Sequence, residues 1–206
     1  MSEGTPTQIL EAARGCLLAE GYAKLSTRKV ADAAGVPLSQ IHYHFGGKQG
    51  LVLALLDHEN TRLIGRQQRM YATDAPLWKR YEQACDFLED DLASGYVRVL
   101  QEMIAAGWSD TKVAKQVLGL MQSWQTVLET VASSADVRLG PLTAEDAAAL
   151  VGMSFLGGEA LMLLGDENWA RRVRTALRSL VTLIRHLEET AATESSMQRS
   201  PATIEP

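Results

Sequence analysis

Apolar side chains recur three or four positions apart along most of this chain, and each such run stops at Gly, Pro or a small cluster of Asp, Ser and Thr. That period is the repeat of an α-helix lying on a core, and no alternating run of β-branched residues bounded by turn signals suggests a sheet. The expected fold class is therefore all-α, with about nine helices. At 206 residues and 46% hydrophobic content, the chain is long enough and apolar enough to bury a substantial core.

The breaks set the helix bounds. The first helix is expected to start with Thr5 as N-cap, Pro6 at the first helical position and Gln8 closing a capping box, and to stop at Gly21. Ile9, Ala13, Cys16 and Leu17 form its apolar face. A short second helix follows Ser26 or Thr27 and ends at Gly35, a third runs from about Leu38 to His44, and a longer fourth runs from about Lys48 to Tyr71, where Asp74-Ala75-Pro76 breaks it. Further helices are expected near 77–93, 96–107, 110–133, 143–164 and 167–189, separated at Gly95, at Gly107 to Asp110, at Gly140-Pro141 and at Gly165-Asp166. Thr143 with Asp146 three residues on, and Asp166, are the expected N-caps. The apolar period ceases from about Thr190, so residues 191–206 read as a disordered tail.

Charge and composition exclude several functions. The net charge of −5 argues against a protein that coats nucleic acid generally, but the charge is uneven: residues 1–71 carry +2 and the remainder −7. No stretch reaches the eighteen apolar residues of a membrane span, and no leader-like segment opens the chain, so a cytoplasmic location without membrane contact is expected. Cys16 and Cys85, the only two cysteines, form no CxxC pair or Cys/His cluster and read as buried thiols. His42 and His44 do not make a metal site, because residues two apart on a helix point about 200° from each other. Gly46-Gly47-Lys48 lacks the preceding glycine and the following Ser/Thr of a phosphate-binding loop, and there is no H-E-x-x-H or G-x-S-x-G. No catalytic residue, metal or cofactor is expected, and the chain does not read as an enzyme.

The most informative stretch is LSTRKVADAAGVPLSQIHYHFGGKQGL, residues 25–51. Two short helices meet at Gly35-Val36-Pro37, with Val30, Ala31 and Ala34 on the first and Ile41 and Phe45 on the second able to hold them together, as in a helix-turn-helix. With Ile41 turned inward, Ser39, Gln40, His42, Tyr43 and His44 place hydrogen-bonding groups on the remaining surface, several of them able to face a major groove. In the S-T-R-K-V-A-D-A-A-G-V and S-Q-I-H-Y-H-F-G-G-K-Q-G-L segments the chain resembles the TetR family of bacterial transcriptional regulators, over roughly residues 7–55.

The resemblance implies a DNA-binding head, residues 1–47, and a helical effector-binding and dimerisation body, residues 48–190, with the 48–71 helix connecting them. It places Thr27 and Arg28 on phosphates and Lys48 on a phosphate at the start of the fourth helix, where the helix dipole also favours an anion. The family's usual tyrosine is His42 here, which opens DNA affinity to pH near an imidazole's ordinary pKa of about 6.5. Two body features complete the reading. Gly157, Gly158 and Leu161 lie in a run of small residues, and Val173, Leu177, Leu180, Ile184 and Leu187 repeat at steps of four and three; in the family such helices pair across a homodimer. Trp78, Tyr81, Phe87, Tyr96, Met103, Trp108, Met121, Trp124, Phe155 and Met162 are candidates to line a cavity for a small apolar or amphipathic effector. The function expected is a repressor released by that effector from a double-stranded, inverted-repeat operator. A ligand-binding protein whose head has lost DNA recognition is the competing reading.

Overall fold

The computed structural model describes residues 4–134 and 142–198. Among these residues there are nine helices and no strand: α1 (Thr5–Lys24), α2 (Thr27–Ala34), α3 (Leu38–Phe45), α4 (Lys48–Tyr71), α5 (Leu77–Ser94), α6 (Tyr96–Gly107), α7 (Thr111–Ser134), α8 (Ala144–Met162) and α9 (Glu167–Gln198). The all-α class and the helix order agree with the sequence pattern. The break expected at Gly140-Pro141 and the last eight residues of the expected tail, 199–206, lie outside the described residues.

Three local expectations are corrected. The N-cap of α1 is Gly4 rather than Thr5 and, as a glycine, has no side chain to cap with; the Gln8 amide donates to the Ala34 carbonyl at the end of α2, 2.9 Å away. At Gly21 the backbone leaves the helix (φ 78°, ψ 168°) as expected, but Tyr22, Ala23 and Lys24 then resume a helical turn before Leu25 closes it. The third correction concerns α9, which continues to Gln198 through residues 191–198. Apolar period is needed for packing but not for helix, and this stretch holds no Gly or Pro before Pro201.

Packing divides the chain into two units, residues 1–65 with 90–122, and residues 66–89 with 123–206. In the first unit Ile9, Leu17, Val30, Ile41, Leu51, Leu55, Val97 and Met103 are fully buried. The turn from α3 into α4 is unusually close: a Cβ on Gly50 would lie 1.9 Å from the Phe45 carbonyl oxygen, so only glycine fits there. Gly15, on the exposed side of α1, has nothing within 4 Å.

In the second unit α8 and α9 pack so closely at Gly158 that a Cβ there would meet Val173 Cγ1 at 2.7 Å. Val173 and Leu177 are buried within the chain, and Leu180, Ile184 and Leu187 are partly covered. Two residues of the seam read from the sequence, Val173 and Leu177, are thus covered within the chain. Thr143 and Asp146 form the expected capping box at α8, and Asp166 accepts from the Trp169 amide at the start of α9. Glu188 reaches from α9 to the start of α5, where its carboxylate accepts from the Leu77 and Trp78 amides at 2.8 and 2.9 Å. The Tyr81 hydroxyl donates to the Leu177 carbonyl at 3.2 Å.

Two predictions follow from this packing. Gly15→Ala should stabilise the chain by up to about 1 kcal/mol through helix propensity, whereas Gly50→Ala should cost roughly 1–3 kcal/mol because the added methyl meets backbone; urea melts of both variants read the opposite signs. Burial, and next the neighbouring Cys85, raises the Tyr81 phenol and pushes Tyr71 up to about 12. Folded-state values above the unfolded value of about 10 mean stability present below pH 10 and lost as pH rises toward 12. Alkaline titration should show these two phenols ionising only as helical circular dichroism collapses.

Candidate nucleic-acid interface

The site is built from α2, the turn at Gly35-Val36-Pro37, α3 and the first turn of α4. α2 starts at Ser26, whose hydroxyl accepts from the Lys29 amide at 3.2 Å, and ends at Gly35 with φ 64°, a conformation that glycine adopts without steric cost. Pro37 then enters α3 with φ −60° and occupies the N-cap position. Val30 and Ile41, both marked from the sequence, are fully buried. An ion pair between Lys29 and Glu20, and the Gln8 bond to Ala34, fasten α2 to α1.

Only Ile41 of α3 is buried; Leu38 and Phe45 are half-buried beside it. The opposite side is left open. Tyr43 is 82% exposed, Ser39, His42 and His44 are exposed, and Gln40 is half-exposed. The Tyr43 and His44 rings meet edge to face with centroids 4.9 Å apart. On α2, Arg28 is exposed and Thr27 half-buried at the N-terminus.

Lys48 lies differently from a solvated phosphate contact. Its ammonium sits 4.4 Å from the centre of the Tyr22 ring and 3.4 Å from the Ala23 carbonyl oxygen, beneath the extra turn that follows Gly21. Burial, then Glu102 and Asp110, raises the Tyr22 phenol. The Tyr22 amide donates to Glu102 of α6 at 2.9 Å, and Arg98 pairs with the other Glu102 oxygen. Beside it, Asp110 caps α7 by accepting from the Lys112 and Val113 amides, and its second oxygen accepts from Gln49 at 2.9 Å. The Gln49 bond and then these amides hold the Asp110 carboxyl below its usual range. Sequence reasoning found none of these ties. Residues 22 and 102 are eighty positions apart, and nothing in either local pattern links them.

Residues 9–55 match the model of the family "Bacterial regulatory proteins, tetR family". Over these residues the chain is similar to the TetR family. AcnR, a transcriptional repressor of Corynebacterium glutamicum, is 38% identical over 56 residues, covering 27% of this chain and 30% of that protein, so the match spans less than a third of the relative's length. A TetR-family protein from Rhodococcus sp. superposes with a TM-score of 0.73 at 17% identity, covering 87% of this chain and 97% of that one. FadR of Bacillus subtilis, solved in complex with stearoyl-CoA, superposes with a TM-score of 0.68 at 15% identity over 86% of this chain and 96% of that one. Those two likenesses extend the TetR fold to nearly all of the chain.

The ten aromatic and thioether residues marked as cavity-lining divide between the two units. Tyr96, Met103, Trp108 and Met121 fall in the first, where Met103 is core, Trp108 is 82% exposed and the Tyr96 hydroxyl donates to Asn60. A cavity of about 10 Å³ between α1, α4 and α6 touches Tyr96 but has room for one water at most. Trp78, Tyr81, Phe87, Trp124, Phe155 and Met162 fall in the second unit, where the Tyr81 and Phe155 rings meet at 6.0 Å and Arg185 stacks 3.7 Å over Trp78. No described helix is long and apolar enough to cross a membrane.

The head's anchoring depends on its caps. Ser26→Ala removes the oxygen that satisfies the Lys29 amide and should lower stability by about 1 kcal/mol, read as a reduced urea midpoint with unchanged slope.

Proposed function

We propose that this chain is a dimeric DNA-binding transcriptional repressor, released from an inverted-repeat operator by a small apolar or amphipathic effector. The observation that carries the reading is the outer face of α3, where Ser39, Gln40 and Tyr43 stand opposite buried Ile41 in a family helix-turn-helix. These side chains offer hydroxyl, amide and phenol groups to base edges, while Thr27 and Arg28 reach the backbone from α2. Lys48 is a phosphate ligand once its ammonium swings from Tyr22. Its stem is long enough, and the α4 N-terminus favours the same anion. Nothing in this assignment requires an enzyme.

One short recognition helix reads few base pairs, so two heads about 34–36 Å apart are needed for a selective site. The surface that supports pairing is the outer face of α8 and α9. Leu150, Met153, Gly157, Leu161 and Leu164 recur there at steps of three and four, and Trp169, Ala176 and Leu183 at steps of seven, all exposed. Of the residues marked from the sequence, Gly157 and Leu161 belong to this face. Their partner is a second copy of the same face.

The effector is assigned to the second unit, among Tyr81, Phe155 and Met162. The acyl-CoA held by the Bacillus subtilis neighbour supports an amphipathic ligand class. Ties from α1 and α4 to Glu102 and Asp110 give a route by which the α6–α7 turn bears on the head.

Selection from a random duplex pool, followed by footprinting, should return a palindrome whose affinity falls as salt rises. Tyr43→Ala should weaken that site by about 1–3 kcal/mol and relax base preference, while Arg28→Ala should weaken all duplexes alike and reduce the salt slope by about one per head. Met153→Glu should convert a dimer to a monomer by light scattering; a wild-type monomer that still footprints a lone half-site defeats the dimer model.

A further inference from the structure

α3 reads Leu-Ser-Gln-Ile-His-Tyr-His-Phe and contains no Lys, Arg, Asp or Glu. The helix presented to DNA therefore carries no fixed charge, and its only basic side chains are the imidazoles of His42 and His44. At about 100° per residue, the covered side of α3 is centred between Ile41, Phe45 and Leu38. Tyr43, Ser39 and Gln40 lie around the opposite pole. His42 and His44 fall about 100° to either side of that pole, on opposite flanks of the helix. Both are exposed.

A helix with its side chains is about 10–12 Å across, close to the roughly 12 Å width of a major groove. Side chains at the pole then meet base edges, and side chains on the flanks meet the groove walls, which are rows of phosphates. His42 and His44 thus face one wall each. Charged groups on the neighbouring elements do not occupy them. On α2, Lys29 is paired with Glu20 of α1, Arg28 points to solvent, and exposed Asp32 makes no ion pair with either imidazole among the described residues. Glu11 of α1 pairs with Arg14, and Lys48 at the start of α4 is held over Tyr22.

We propose that DNA binding by this head is coupled to proton uptake, with His42 and His44 as the paired groups that take the protons and clamp the two phosphate walls of the groove. The inference rests on the DNA-binding reading and adds its regulation. Each protonated imidazole adds one cation against a phosphate, so a dimer gains up to four on acidification. Binding holds those protons because the phosphates favour the charged ring. The regulator grips its operator more firmly in an acidified cell, through the reading helix itself and without an effector.

The test uses the full chain and a labelled duplex selected at pH about 8 from a pool of random central sequence, with affinity measured by fluorescence anisotropy. Titrations run at pH about 6 and about 8, either side of the ordinary imidazole pKa, each across roughly 50–200 mM salt. The expected result is binding at least about tenfold tighter at the lower pH, with a log–log salt slope steeper by about 1–4. H42Q/H44Q, which keeps hydrogen-bonding groups but cannot titrate, should bring the ratio of affinities at the two pH values close to one. H58Q on α4, outside the interface, should retain the wild-type ratio. Salt-dependent binding that is equal at both pH values overturns the proton coupling alone, as does an H42Q/H44Q variant that keeps the full increase. Absence of salt-dependent DNA binding at both pH values overturns the regulator reading with it.

Discussion

The burial of Ile41 is the contact on which the interface depends. Full burial of one such side chain is worth roughly 1.5–3 kcal/mol, and on an eight-residue helix it is the only residue of α3 wholly removed from solvent. It therefore fixes the rotation of α3 about its own axis. With Ile41 turned inward, as Val30, Ala31 and Ala34 of α2 also are, Tyr43 points out, Ser39 and Gln40 lie beside it, and the two imidazoles fall on the flanks. A rotation of one residue would bury polar groups without partners and would take Tyr43 away from the pole.

What holds this unit together beyond its apolar core is a small set of polar ties over long sequence distance. Glu102 accepts from the amide after the Gly21 break, Gln8 satisfies a carbonyl at the end of α2, and Asp110 serves α7 and Gln49 at once. Each satisfies a backbone or side-chain group at a helix end, where four donors or acceptors lack partners within the helix. Such groups are where a short-helix domain is weakest. Two of the three are satisfied from α6 and the start of α7, which ties residues 22 and 49 to those helices.

Much of the architecture was legible from local pattern. Helix bounds at α2, α4, α6 and α8 agree with the breaks to within two residues, because Ser26, Gly35, Gly95 and Thr143 act through their own backbone conformation and nearest neighbours. The exposed set on α3 was legible for the same reason. Where a residue had a better partner far away in sequence, local reading failed. Gln8 looked like half of a capping box and bonds Ala34 instead; Lys48 was marked only for a phosphate, and its place over the Tyr22 ring was not foreseen. Periodicity on α9 reports that a face is covered without saying by what: Val173 and Leu177 are covered by α8 of the same chain, while the sparser stripe from Leu150 to Leu164 stays open.

By itself, then, the sequence determined the all-α class, the order of helices, the helix-turn-helix and which residues of α3 face outward, since each follows from period, capping and steric limits within a few residues. Tertiary structure alone decided which apolar stripe is spent inside the chain, which of the marked aromatics fall together in the second unit, and how Tyr22, Gln49, Glu102 and Asp110 secure the head. Those outcomes depend on which surfaces meet. Pairing between distant segments is set by shape and by the satisfaction of buried polar groups, and neither is written in the spacing of residues along the chain.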